Sequence, residues 1–389
     1  MTWTQLLAVD IDTERFIAIT GITMAFALFV RTRLVTGGTI TPAYFLILVL
    51  NERYTAVLIT VAVAITALVL VRTFLLSRFA LSKAWLSGSL IIAGALVNTV
   101  VDLFARRYTE PFFGIEQLVL VLGLYVTPGL LAYDWERQGF WKTNGAIGIV
   151  MAATLVLTTP VLWGAKQLVP GASAVVIEGT GRIPDDLWWI ASLLAIVSTL
   201  LLRFGLGWRS AGFIGGLFVF DAFTPITFVL ATLFAIGTVV IIRILGDITL
   251  LTPRQRFQAS LIVGAIAGWF GLYWFTRLGY EPVIVINGYA LEPLLLVGLM
   301  ASDMMRSGSS VPTTILGTAT SAAMVGGGIL LAQSGPLGTA VAVAIVMASI
   351  AVALVIAGRQ LKEQSAQAVE LGREVRTQYQ SVDRVQSSG

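Results

Sequence analysis

Long apolar stretches separated by short polar segments run through most of the chain. The first extends from Phe16 to Val30 and is closed by Arg31 and Arg33, and comparable stretches follow one after another. A helix needs about 20 apolar residues to cross the roughly 30 Å hydrocarbon core of a bilayer. Because most of the stretches reach that length, the pattern predicts an all-α polytopic membrane protein.

Two apolar runs are too short to be ordinary membrane spans. Ala43–Leu50 follows a lead-in that contains glycines and a proline, and Phe213–Phe220 occupies the corresponding place later in the chain. Eight helical residues rise only about 12 Å. Irregular backbone at membrane depth is stable only where protein or a water-filled cavity covers it. Each run is therefore predicted to be a short or interrupted membrane element.

One charged segment of the chain occurs twice, and its neighbours recur with it. Self-similarity at a nearly constant offset is the mark of a tandem duplication. We therefore predict two tandem repeats of about six membrane elements each, followed by one extra C-terminal transmembrane helix. The matched pairs include Arg72 with Arg243, Gly129 with Gly298, Ala132 with Ala301, Asp134 with Asp303, Arg137 with Arg306, and Gly139 with Gly308.

The repeat and the polar segments between apolar stretches divide the chain. A helical stripe of apolar residues in the last segment predicts an amphipathic tail. The predicted divisions are 1–165 for the first repeat, 166–186 for a polar connector, 187–335 for the second repeat, 336–358 for the extra helix, and 359–389 for a cytoplasmic amphipathic tail.

The composition narrows the chemistry that this chain can perform. It is 57% hydrophobic and 12% charged, against roughly 25% charged residues in soluble domains. It contains no cysteine and no histidine, which removes thiol nucleophiles, imidazole bases and ordinary zinc sites. No phosphate-binding loop motif is present. We therefore expect no catalytic residue, no metal site and no cofactor in this chain, and no nucleic-acid partner.

The distribution of positive charge predicts an orientation. If each short run crosses the membrane, most of the 25 Lys and Arg residues fall on one side, which the positive-inside rule assigns to the cytoplasm. The N-terminus then lies outside and the C-terminus lies in the cytoplasm. Six crossings per half make the repeats parallel, whereas re-entrant short runs would leave five spans and inverted repeats. The charge distribution favours the parallel arrangement.

Several ionisable residues lie where charge is costly or concentrated. Arginines at predicted cytoplasmic helix ends are either topology signals or a source of positive potential that attracts anions. Glu292 falls near the middle of an apolar span, where a carboxylate is a functional candidate by default. Its structural alternative is a protonated or arginine-paired side chain. The candidates for anion attraction or for a polymer path are Arg31, Arg33, Arg72, Arg203, Arg243 and Glu292.

The duplicated charged segments are predicted to be loops at the cytoplasmic side, Asp134–Gly139 and Asp303–Gly308. They are either capped loops with a weak surface ion pair, worth at most about 1 kcal/mol, or a docking surface for a soluble partner. The amphipathic tail would add a third contact. The candidate docking residues are Asp134, Trp135, Arg137, Phe140, Asp303, Met304, Met305, Arg306, Leu361, Leu371 and Val375.

Two short motifs in the first half resemble those of a known family. Thr127-Pro-Gly-Leu-Leu-Ala132, ending at Gln138-Gly139, resembles the Val-Pro-Gly-Leu-Ile-Ala…Gln-Gly element of the PgsC/CapC family. Thr41-Pro-Ala-Tyr44 with Leu50-Asn51 resembles its Val-Pro-Gly-Tyr…Phe-Asn element. The matched motif positions are Pro42, Tyr44, Asn51, Pro128, Gly129 and Gly139.

This chain departs from the family pattern in length and in its second half. The usual member is about as long as one repeat, so this chain resembles a fused pair. Ala211-Gly212-Phe213 replaces the Pro-Tyr element in the second half, and Val297 replaces Pro128.

The resemblance implies a non-catalytic membrane subunit of a bacterial poly-γ-glutamate (capsule-type polyamide) synthase and export complex in the cell membrane. Such a subunit anchors a cytoplasmic ATP-dependent amide ligase, which would carry the ATP and Mg, and helps the anionic polymer across. The anion-attracting residues would then belong to the polymer path. Small single-span accessory subunits are further expected partners. The residues alone leave another function open, a self-contained secondary transporter for a small anion.

Overall fold

The computed structural model of the chain contains thirteen helices and no strand among the residues that it describes. Seven of these helices are long and apolar enough to cross a membrane. The predicted all-α polytopic architecture with two repeats is confirmed. The described residues are 11–77, 83–108, 122–168, 182–277, 291–306, 310–352, 355–356 and 359.

Six described helices form each repeat, and a thirteenth follows. The first repeat contains α1 (Ile11–Thr32), α2 (Thr41–Leu50), α3 (Tyr54–Val71, continued by a π turn Arg72–Leu76), α4 (Lys83–Tyr108), α5 (Leu122–Gln138) and α6 (Phe140–Leu168). The second contains α7 (Trp188–Leu201, continued by a π turn Leu202–Leu206), α8 (Gly215–Ala222), α9 (Pro225–Thr249), α10 (Pro253–Arg277), α11 (Leu291–Met304) and α12 (Val311–Gln333). The extra helix is α13 (Pro336–Val352).

The short runs are helices that the other helices enclose. In α2, Pro42 occupies the first turn, where its missing N–H costs nothing, and Thr41 to Leu48 are all buried. In α8, Phe218 is fully buried. The prediction of one short, covered element in each repeat is therefore correct, and burial explains why a helix of 8 to 10 residues is stable there.

The two repeats pack their helices in the same way. In each repeat, the fourth helix packs on the fifth, the third on both of these, and the sixth on the first and second. The contact between the repeats is also symmetric, because α4 packs on α7 and α10 packs on α1. At the first of these contacts, the rings of Trp85 and Phe204 stack with centroids 4.0 Å apart.

The fourth and fifth helices of each repeat touch at their backbones. A Cβ at Gly129 would lie 2.4 Å from the Ile91 Cα, and one at Gly298 would lie 2.7 Å from the Leu261 Cα. Small residues allow this close approach of membrane helices. Although a Pro-Gly pair often breaks a helix, α5 continues through Pro128 and Gly129 to Gln138.

The ends of the repeats show that they run in the same direction. The loop before α2 contacts the end of α5, and the loop before α8 contacts the end of α11. The start of α10 lies beside both: the guanidinium carbon of Arg254 is 4.8 Å from the Phe29 ring centroid, and that of Arg306 is 5.7 Å from the Phe257 ring centroid. All these ends share one side of the molecule, which we call the loop face. The repeats are therefore parallel, since inversion would put the second loop on the opposite face.

The structure also corrects the match between the two short elements. Ile40 precedes α2 as Ile214 precedes α8, so the same offset pairs Gly38 with Gly212. The counterpart of Tyr44 is then Phe218, which is buried as Tyr44 is. The sequence interpretation, in which Ala211-Gly212-Phe213 replaced the Pro-Tyr element, was out of register. The second repeat keeps the buried aromatic ring and lacks the hydroxyl.

Candidate functional site: a duplicated loop held by a carboxylate

A loop with left-handed backbone precedes each short helix on the loop face. Its conformation is the same in both repeats, although only two of the three left-handed positions are glycine in each. Left-handed φ values cost glycine little and other residues more. These positions are Arg33 (φ 61°), Gly37 (66°) and Gly38 (102°) in the first repeat, and Gly207 (70°), Ala211 (56°) and Gly212 (75°) in the second.

An aspartate from the fifth helix holds each loop. The Gly38 N–H donates to Asp134 Oδ2 at 3.2 Å, and the Gly212 N–H donates to Asp303 Oδ2 at 3.0 Å. Both carboxylates are buried. Charge-assisted bonds from backbone amides are among the stronger hydrogen bonds in proteins. The duplicated aspartates are therefore bonded to the loop backbone within the molecule.

A hydroxyl inside each loop makes a second equivalent bond. Thr36 Oγ1 donates to the Gly38 carbonyl at 2.8 Å, and Ser210 Oγ donates to the Gly212 carbonyl at 3.3 Å. The same carbonyl is therefore held in both repeats. The loop, its hydroxyl and its aspartate form one conserved unit of the duplication.

The first loop has an additional clamp from the end of α5. Gln138 Oε1 accepts from the Val35 N–H at 3.0 Å, while Gln138 Nε2 donates to the Val35 carbonyl and, at 2.9 Å, to Thr143 Oγ1. The amide thus pairs both backbone groups of one residue. This contact gives the Gln138-Gly139 motif a structural role: the glutamine fixes the loop, and Gly139, with φ of 92°, ends α5.

Two arginines accompany the carboxylate of the first repeat. Arg137 and Arg254 both lie close enough to Asp134 for electrostatic attraction. Arg254 also shares the Phe29 ring with Arg33, whose guanidinium carbon is 5.7 Å from the ring centroid. Burial lowers the pKa of the Arg254 guanidinium, and the Asp134 carboxylate partly offsets that effect. Because α10 belongs to the second repeat, the attraction between Arg254 and Asp134 links the two repeats.

Three arginines accompany the carboxylate of the second repeat. Arg209 Nη1 and Arg306 Nε each lie 3.8 Å from Asp303 Oδ1. Arg203 interacts electrostatically with all three of these residues. Burial lowers the pKa of the Arg209 guanidinium, while Asp303 raises it and Arg306 lowers it. The second site therefore carries an excess of positive charge.

The other residues proposed for anion attraction lie in different surroundings. Arg72 forms an ion pair with Glu136, with Nε 2.6 Å from Oε2, so its charge is already compensated. Arg31 and Arg243 are exposed. Glu292 belongs to α11, and its side chain lies outside the described part of the structure. Among the predicted residues whose side chains the structure describes, only Arg203 joins a cluster of arginines around one carboxylate.

Burial changes the interpretation of the predicted docking residues. Asp134, Trp135, Asp303 and Met304 are buried within this chain, because they still belong to helices: α5 continues to Gln138 and α11 continues to Met304. Trp135 Nε1 also donates to Asn144 Oδ1 at 3.2 Å. These four side chains pack inside the protein and present no surface to a soluble partner.

The remaining docking residues differ in their exposure. Phe140 is 40% exposed and its neighbour Trp141 is 84% exposed. Arg137 and Arg306 are also exposed, whereas Met305 is half-buried. The predicted tail contacts Leu361, Leu371 and Val375 lie outside the described residues.

The family-motif positions have packing roles. Pro42 and Tyr44 lie in the buried α2, and the Asn51 N–H caps that helix by donating to the Ile47 carbonyl at 3.0 Å. Pro128 lies within α5, next to Gly129 at the backbone contact with α4.

Sequence reasoning missed Gly38, Gly212, Arg209, Arg254 and Gln138 as parts of the site. Gly38 and Gly212 carried a usable signal, because aligning Ile40 with Ile214 pairs them. No sequence signal placed Arg254 beside Asp134, since these residues come from different repeats.

One family of known proteins matches the chain twice. The capsule biosynthesis CapC family matches residues 20–144 and again residues 194–314, which together exceed half of the chain. The chain belongs to the capsule biosynthesis CapC family. Both matches run from the first helix of a repeat to the start of its sixth, so each contains one complete loop and its aspartate. Comparisons with curated proteins and with solved structures found no match.

The double match confirms that the chain is a tandem duplication of a CapC unit. The two matched ranges begin and end at equivalent helices. The chain is accordingly a multi-pass membrane protein of capsule synthesis, and its seven spanning helices agree with that assignment.

Proposed function

We propose that this chain is the membrane subunit of a poly-γ-glutamate (capsule-type polyamide) synthase, which anchors a cytoplasmic ATP-dependent amide ligase and helps the anionic polymer leave the cell. The double match to the CapC family carries this proposal. The ligase would bind ATP and Mg and form the amide bonds. This chain would supply the membrane anchor and a path for the product.

The charge of the loop face supports its assignment to the cytoplasmic side. Arg33, Arg137, Arg209, Arg254 and Arg306 all lie at helix ends or loops on this face. Positively charged residues are enriched in cytoplasmic segments of membrane proteins. With this orientation, the ligase and the loop face are on the same side of the membrane.

An aromatic pair at the start of α6 is the best docking surface among the described residues. Phe140 packs against the buried Trp135 with ring centroids 4.9 Å apart, and Trp141 contacts Phe140 edge-on at 5.3 Å. Only Gln138 and Gly139 separate the pair from the charged residues Glu136 and Arg137. Exposed aromatic residues beside charged groups are frequent binding anchors, and the packing of Phe140 keeps the pair rigid.

Replacement of Phe140 and Trp141 by alanine tests the anchoring role. We expect the double variant to lose most of the ligase from the membrane fraction, measured by immunoblotting after sedimentation. Trp163→Ala is the control, since this 54% exposed residue lies at the opposite end of α6. Full retention of the ligase by the double variant would assign the pair to the membrane interface alone.

A further inference from the structure

The charges around Asp303 do not balance. Arg203, Arg209 and Arg306 interact with this single carboxylate, so these four side chains together carry more positive than negative charge. Arg209 is partly shielded from water, with its side chain 19% exposed, whereas the side chain of Arg306 is 43% exposed. A shielded guanidinium such as that of Arg209 is normally paired.

The carboxylate itself is already engaged. Asp303 Oδ2 accepts the Gly212 N–H, and Oδ1 is the oxygen that contacts Arg209 and Arg306. Its distance to Arg209 Nη1 and Arg306 Nε is 3.8 Å, beyond the 2.7–3.2 Å of an N–H···O hydrogen bond. Among the described residues, neither guanidinium donates a hydrogen bond. Their N–H groups are therefore available to another acceptor.

The first repeat shows that this arrangement is not needed to hold the loop. At the equivalent positions, Val35 replaces Arg209 and Phe29 replaces Arg203. There the neutral Gln138 amide clamps the Val35 backbone. The same loop conformation therefore forms without these two charges, so loop stability does not explain the arginines of the second repeat.

We propose that the loop of the second repeat forms an oxyanion-binding site, in which Arg209 and Arg306 hold one carboxylate or phosphate group and Arg203 adds attractive potential. The planar fork of a guanidinium pairs with either group through two parallel hydrogen bonds. The loop of the first repeat has no counterpart of Arg203 or Arg209, so this site would be confined to the second repeat. The oxyanion can come from an acidic soluble chain or from the headgroup of an anionic lipid.

Thermal unfolding of the purified full chain in neutral detergent tests this site. The probes are pyrophosphate, tri-γ-glutamate and micelles that contain phosphatidylglycerol. We expect at least one probe to raise the unfolding temperature with saturation. The affinity of the chain for that probe should fall about tenfold or more in Arg209→Gln, because the loss of one hydrogen bond to a charged group changes a binding constant by at least that factor. Arg243→Gln, an exposed arginine of the same repeat, should leave it unchanged.

A second variant, which is expected to bind the probe more tightly, shows that weaker binding by Arg209→Gln is not caused by misfolding. Asp303→Asn keeps an acceptor for the Gly212 N–H but removes the competing negative charge, so the probe should bind more tightly. Protection by the soluble anions identifies an acidic solute, and protection by the lipid micelles alone identifies a headgroup. The proposal is overturned if no probe protects, or if Arg209→Gln and Asp303→Asn both bind as the unaltered chain does.

Discussion

At the scale of single residues, the two aspartates that looked like surface charges are buried acceptors. Asp134 lies only two residues from Glu136, yet the first binds a loop amide in the interior and the second pairs with Arg72 at an exposed site. Replacing Asp134 with alanine should lower the free energy of unfolding by about 1.5–3 kcal/mol, because a hydrogen bond to a charged group is lost. Denaturant unfolding in detergent measures this loss.

Glu136→Ala is the matched control for that substitution. It removes a carboxylate from the same turn of α5, but its ion pair with the 56% exposed Arg72 should contribute less than about 1 kcal/mol. Equal losses in the two variants would mean that the Asp134 bond to the loop adds nothing beyond an ordinary surface pair.

At the scale of helices, the backbone contact of α4 with α5, repeated by α10 with α11, is the feature most sensitive to volume. Gly129→Ala places a methyl group 2.4 Å from the Ile91 Cα, so the helices must separate. Overpacking of this kind costs about 1–3 kcal/mol. We expect a lower thermal unfolding temperature for Gly129→Ala, and the same for Gly298→Ala.

Gly148→Ala is the control, because it replaces a helical glycine that makes no close contact with another helix. Gly148 lies within α6, and nothing approaches the position of its missing Cβ within 4 Å. Alanine is the better helix former, so this variant should be as stable as the unaltered chain or more so. If Gly129→Ala behaves like Gly148→Ala, the two helices adjust at no cost and the close contact is unimportant.

At the scale of the whole molecule, the parallel repeats predict where each connection lies. The chain has no cysteine, so single cysteines can be labelled without background. Ser77→Cys and Leu250→Cys follow the third helix of each repeat. In intact cells both should resist a membrane-impermeant maleimide and react once the cytoplasm is opened, because the proposed orientation places both connections on the cytoplasmic side.

Asp186→Cys supplies the reference for the opposite side. It lies in the turn before α7 and should react in intact cells. Opposite labelling of Ser77→Cys and Leu250→Cys would contradict the parallel repeats, whereas labelling of both from outside would keep the repeats parallel and reverse the orientation of the chain.

The sequence by itself determined the features that depend on local composition and length. Apolar runs of spanning length predicted the membrane helices, since the bilayer thickness fixes how many residues each needs. The constant offset from Asp134 to Asp303 predicted the duplication, and the Pro-Gly and Gln-Gly motifs resembled the family that the comparison then confirmed.

Only the tertiary structure decided which charges are buried and which partners they meet. Asp134 and Glu136 are the same kind of residue in the same helix, and the loop from α1 alone distinguishes them. Arg254 reaches Asp134 from the other repeat, and Arg209 faces Asp303 across a long stretch of sequence. The periodicity of one helix carries no information on these contacts, because packing between separate helices creates them.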